Sequence, residues 1–120
     1  MPTTTTYKQG DVVLAYYPFT DSAEGKQRPA LIVSANWYNR SKNKCLLSPI
    51  TSAIHLSRDA DDFLLRGRDY QDAGLLHESI IRCGLLFAVD HQRIVKRLGS
   101  LPRGTFDQLL PLFAALFTDS

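Results

Sequence analysis

At 120 residues and 44% hydrophobic composition, the chain can bury about two-thirds of its unfolded surface, enough for one core but hardly for two. One domain over 1–120 is expected, with residues 1–6 as a flexible tail. That stretch, Met1-Pro2-Thr3-Thr4-Thr5-Thr6, has no basic or apolar region, and the longest apolar run, Leu109 to Phe117, is broken by Pro111. The reading is therefore neither secreted nor membrane-spanning, and cytoplasmic.

Cys45 and Cys83 stand far apart, with no Cys-x-x-Cys and no clustered histidines. Neither a disulfide framework nor a zinc site is signalled, and no metal or cofactor is expected. The formal charge of +2 is small but blocked. Lys26, Arg28, Arg40, Lys42 and Lys44 give +5 with no acid between them, Asp59 to Glu78 sums to −4, and Ser79 to Phe106 to +4. Two basic stretches on one face would attract a phosphate chain; the alternative is solvated strand edges carrying cations against aggregation.

Along the chain, Asp11 to Tyr17 is rich in β-branched and aromatic residues and stops at Pro18, which predicts a strand entering a loop over Thr20 to Gln27. Ala30-Leu31-Ile32-Val33 is continuously apolar, the pattern of a central strand covered on both sides. Lys44 to Ile50 predicts the next strand, with a bend or edge at Pro49. Further strands are expected at Phe63 to Leu65, Ser79 to Cys83 and Leu85 to Val89. Ser100 can cap a helix whose Phe106, Leu109, Leu110, Phe113, Leu116 and Phe117 share one face, with Pro111 costing about 3 kcal/mol unless packing compensates. The fold class is mainly β with a C-terminal helix, a small barrel with the helix docked on it.

Arg28 follows a polar loop, and Pro29 restricts it to extended backbone. This gives a guanidinium fork on a rigid base, suited to a phosphate; pairing with Glu24 or Asp21 is the alternative. Thr51 and Ser52 offer hydroxyls to phosphate oxygens, or satisfy a local turn. His55, His77 and His91 are bases by type but have no partner at a diagnostic spacing, so surface positions are expected. Trp37 and Tyr38 could stack on bases or pack in a core.

Four motifs then fall in one order: Gly10-Asp11-Val12-Val13-Leu14, Tyr17-Pro18-Phe19-Thr20-Asp21, Gln27-Arg28-Pro29-Ala30-Leu31-Ile32-Val33-Ser34 and Ser48-Pro49-Ile50-Thr51-Ser52. Together they resemble the PemK/MazF family of toxin-antitoxin endoribonucleases, over roughly residues 7 to 117. The resemblance implies a homodimer of SH3-like barrels that cuts single-stranded RNA without metal, leaving 2′,3′-cyclic phosphate and 5′-hydroxyl ends. It also implies a cognate antitoxin lying in the RNA groove, and DNA contact only through the antitoxin complex.

By position Arg28 and Thr51 match the family's catalytic arginine and hydroxyl residue. Phe19, Lys26, Ser52 and Arg82 match RNA contacts. After Cys83, where many relatives carry polar residues, Gly84 and Leu85 stand here. Two other readings share the fold: a CcdB-like gyrase poison, whose C-terminal Trp-Gly-Ile is replaced by Phe117-Thr118-Asp119-Ser120, and a catalytically silent RNA-binding regulator.

Overall fold

The structure, a computed structural model, describes residues 6–18, 26–54 and 59–119. The elements run β1 (Asp11–Tyr16), β2 (Gln27–Ile32), α1 (Asn36–Lys42), β3 (Lys44–Thr51), β4 (Asp62–Leu65), α2 (Arg68–Asp72), β5 (Ser79–Arg82), β6 (Phe87–Asp90), β7 (Ile94–Ser100) and α3 (Arg103–Ala115), with a short 3-10 turn at His91–Arg93 before β7. The strands form a seven-stranded sheet in the order β4-β5-β3-β2-β1-β7, with β6 also on β3, and every pairing is antiparallel.

The mainly β class with a C-terminal helix is what the sequence predicts, but the sheet is not a closed barrel. β4 and β7 are its two ends and do not pair among the described residues. Among the described residues, β4 and β5 pair with the rest of the sheet only through the last two residues of β3, in the pairs Ile50↔Ile81 and Thr51↔Ile80.

β3 organises the sheet. One of its edges lies along β2, and the other passes from β6, opposite residues 44–47, to β5, opposite residues 50–51. The switch falls at Ser48 and Pro49. Proline has no N–H to leave unpaired there, and the fully buried Ser48 hydroxyl donates to the Arg82 carbonyl at 2.7 Å, filling the gap between the two partner strands.

The central strands are buried on both faces, which accounts for the uninterrupted Ala30-Leu31-Ile32 run. One cluster takes Val12, Leu31, Ile50 and Ile81 with Phe106, Leu109 and Phe113 of α3; the other takes Val13, Ala15, Ala30, Ile32, Cys45 and Leu47. Alternate residues of β1 and β2 therefore feed different cores, as a two-residue side-chain period requires. The cysteines divide between these clusters as buried free thiols.

Three elements were not expected: α1, α2 and β7. Ser100 belongs to β7 and caps nothing; α3 starts two residues later than expected, after Pro102, with no side-chain cap. The predicted loop over Thr20 to Gln27 is shortened, since Gln27 opens β2; residues 20–25 lie outside the described residues, as does the expected N-terminal tail apart from Thr6. No helix among the described residues is long and apolar enough to cross a membrane.

Candidate functional site

The α2–β5 connection sets up the site. Ala73 is fully buried, and Gly74 follows at φ +76°, a left-handed conformation that glycine adopts without steric cost. A Cβ on Gly74 would lie 2.0 Å from the Leu98 carbonyl oxygen of β7, and one on Gly99 would lie 2.4 Å from the Asp72 carbonyl oxygen. Two glycines thus let backbone press on backbone and clamp this connection to β7. From there the chain runs to Ser79, where β5 begins beside β3. Since β1, β2 and β3 lie between β7 and β5 in the sheet order, residues 74–79 cross over the ends of those strands.

Beneath this crossing lies a pocket of about 420 Å³. Its apolar lining includes Tyr17, Pro29, Pro49, Ile50, Leu75 and Leu98; its polar lining includes Arg28, Thr51, Ser52, His77 and Ser79. Arg28, Ser52 and His77 are exposed. A few polar groups converging in a mostly apolar concavity is the usual makeup of a ligand site.

Arg28 is the second residue of β2 and pairs with Ala15 of β1, so its backbone is fixed while its fork is in solvent. Thr51 ends β3. Its Oγ1 accepts a hydrogen bond from the Ala53 N–H at 3.1 Å, the local turn that the sequence left as an alternative. That bond occupies a lone pair, so the hydroxyl hydrogen can still be donated to a phosphate oxygen. Tyr17 contributes a hydroxyl that donates to the Pro29 carbonyl. Burial pushes its ionisation up to about 12, outweighing a hydrogen bond with the Ile50 backbone and the charge of Arg28, which both act the other way. Tyr17 therefore stays neutral at the pocket wall.

The predicted site residues divide. Arg28, Thr51 and Ser52, from two strands, come together. Lys26 is exposed two residues before Arg28. Arg82 is not part of the lining: its Nε lies 3.7 Å from Asp62, whose side chain is only 4% exposed. Phe19 lies outside the described residues, as do Glu24 and Asp21. The first basic stretch is also divided, because Lys44 begins β3 while Thr51 ends it, roughly 23 Å away at strand rise. Lys44 is paired with Asp90 at 2.5 Å. Trp37 is 62% exposed on α1, edge-on to Tyr38, and is not part of the pocket lining.

His77, which the sequence offers only as a base by type with a surface position expected, is exposed and also lines the pocket. No short-range spacing ties it to Arg28 or Thr51; only the crossing of the α2–β5 connection brings them together.

A small α+β chain with an open antiparallel sheet and an arginine–hydroxyl pocket where β2 begins and β3 ends defines the class of protein in structural terms. The family follows directly: the model for PemK-like, MazF-like toxins of type II toxin-antitoxin systems matches residues 8–117, and the chain belongs to that family. Among solved structures it is similar to MazF from Deinococcus radiodurans, with TM-score 0.74, 17% identity and coverage of 95% of this chain and 98% of that one. It is also similar to the Mycobacterium tuberculosis toxin MazF-mt6, with TM-score 0.71, 18% identity and coverage of 89% and 95%. A mycobacterial endoribonuclease in complex with its cognate antitoxin aligns with TM-score 0.72 and 15% identity over 95% of each chain. At these identities the likeness is one of fold. No curated protein sequence matches the chain.

Proposed function

We propose that this toxin is an endoribonuclease that cleaves single-stranded RNA by attack of a ribose 2′-hydroxyl on the adjacent phosphate, giving 2′,3′-cyclic phosphate and 5′-hydroxyl ends without a metal. The observation that carries the proposal is the convergence of Arg28 and Thr51, from separate strands, on one open pocket in a chain of this family.

The reaction needs an in-line 2′-oxygen and compensation of the charge that builds on the phosphoryl oxygens. Arg28 meets the second need. A guanidinium does not deprotonate at neutral pH, so it acts by charge and donated hydrogen bonds. Thr51 adds an O–H donor whose oxygen is already oriented by the Ala53 N–H. Ser52 and Lys26 extend this polar edge toward the flanking phosphates, and the apolar lining offers surfaces for a base to pack on. Arg82 is assigned to holding the Asp62 carboxylate rather than to RNA. A cognate antitoxin, a homodimeric state and DNA contact only through the antitoxin complex complete the proposal.

The test is incubation of purified protein with a long single-stranded RNA in EDTA, followed by analysis of the product ends. Cleavage at recurring positions with cyclic phosphate termini is expected. Strict magnesium dependence or 5′-phosphate products would exclude this chemistry.

A further inference from the structure

In-line transfer to a phosphorus requires a proton acceptor at the attacking 2′-hydroxyl, and the proposed reading leaves that position unfilled. Among the described residues lining the pocket, Arg28 cannot accept a proton, and Thr51, Ser52 and Ser79 carry alcohols far too weakly acidic to serve as anions at neutral pH. The Tyr17 hydroxyl is held protonated up to about pH 12. His77 remains. Histidine is the side chain that ordinarily ionises near ~6.5, the range a general base needs.

The fold supplies a specific place for it. Arg28 and Thr51 line the pocket from strand ends, and His77 lines it from the crossing connection. The connection is fixed at both ends: Gly74 abuts the Leu98 carbonyl, and the Ser79 hydroxyl donates to the His77 carbonyl at 2.9 Å. The backbone of His77 is thus held while its ring is exposed. His91 sits elsewhere, beside Asn43 ahead of β3, with Nε2 buried and its ring edge-on to Tyr7 at 5.1 Å. His55 lies outside the described residues.

We infer that His77 is the general base of this toxin, accepting the 2′-hydroxyl proton in the pocket that it lines with Arg28 and Thr51. This rests on the ribonuclease reading above. In the step, the 2′-O–H bond breaks with its proton passing to neutral imidazole, the O2′–P bond forms and the P–O5′ bond breaks. The departing 5′-oxygen takes a proton from solvent, which the exposed site admits, while Arg28 offsets the phosphoryl charge. His77 then returns its proton to water, so the net reaction is transesterification with no oxidant or cofactor consumed.

Among the described residues, the charged and titratable groups around His77 are Arg28 and Tyr17 in the pocket and its chain neighbour Glu78, paired with Arg66 at 3.8 Å. The experiment measures kcat and KM of wild type, His77→Ala, His77→Gln, His55→Ala and Glu78→Gln from pH 5 to 9 on one RNA. Wild type should gain activity as pH rises through the imidazole range. His77→Ala and His77→Gln should lose about 10²-fold or more in kcat with KM little changed, and should lose the acidic limb of the profile. Added imidazole should restore part of the activity of His77→Ala. Glu78→Gln and His55→Ala should keep the limb.

Unchanged kcat and an intact limb in both folded His77 variants would overturn the assignment while leaving the ribonuclease reading standing. So would loss of the limb in His55→Ala alone. Wild type that leaves RNA uncut would overturn both.

Discussion

Thr51 is where a single atom can be tested. Thr51→Val keeps the shape and removes the hydroxyl, losing both the bond from the Ala53 N–H and the donor proposed for phosphate. Cleavage should fall at least tenfold, about 1.4 kcal/mol in transition-state terms, with the thermal midpoint only slightly lowered. Full activity in Thr51→Val, measured as kcat/KM, would remove the hydroxyl from the chemistry. Arg28→Lys should be far more damaging than its unchanged charge suggests, because an ammonium cannot present two parallel donors to a phosphate. Arg28 was legible in the sequence because Pro29 and the polar residues before it constrain its backbone locally. His77 was not, because its place depends on two glycines that let the α2–β5 connection reach β7, a contact between residues 25 positions apart. A Cβ on Gly84 would lie 2.0 Å from Asp61 Oδ2, so a side chain there would require the Asp61 carboxylate to move.

The elements that the sequence announced were those with a continuous or alternating apolar pattern. β2 and β3 are buried on both faces, and α3 sets Phe106, Leu109 and Phe113 into one core, so their composition carries their structure. α1 buries only Asn39, which donates from Nδ2 to the Tyr7 and Ser34 carbonyls and whose carbonyl oxygen accepts from the Ser34 hydroxyl; a helix anchored by an amide shows no apolar stripe. α2 buries nothing over its five residues, and β7 buries only Ile94, so both read as loop. At this scale the clamp on β7 is the testable feature. Gly74→Ala must place a methyl group on the Leu98 carbonyl from a left-handed backbone, which should destabilise the fold by about 2–4 kcal/mol. A urea titration would measure it. Activity at temperatures where the variant remains folded should fall as well, because the crossing carries His77. A stability change under about 0.5 kcal/mol, the size of an ordinary surface substitution, would show that the contact is not a constraint.

At the scale of the whole molecule, burial keeps the Tyr17 hydroxyl and the Cys45 and Cys83 thiols protonated. Burial raises Tyr17 from 10.0 to about 12 and both Cys45 and Cys83 from 9.0 to about 12. The unfolded chain loses these protons first as pH rises, so the folded state binds more protons across this window. The stability contributed is therefore complete below pH 9 and is lost as pH climbs from about 9 to 12. Urea midpoints should decline above pH 9, and replacing both cysteines with alanine should flatten the decline between pH 9 and 10; an unchanged slope would mean that the thiols ionise as freely in the fold as outside it.

Partner binding belongs to the same scale. An acidic antitoxin segment lying over Lys26 and Arg28 would exclude RNA, and both would weaken with salt because both rely on the same cations. Labelled, uncleavable RNA that stays bound under saturating antitoxin would show separate sites. Sedimentation that finds a monomer at fully active concentrations would reject the dimeric state. Whether the pocket around Arg28 cuts RNA is decided by cleavage of one long single-stranded RNA in EDTA by wild type and by Arg28→Ala of matched thermal stability. The expected result is site-selective cutting by wild type and none by Arg28→Ala; equal cutting by the two proteins would contradict the account.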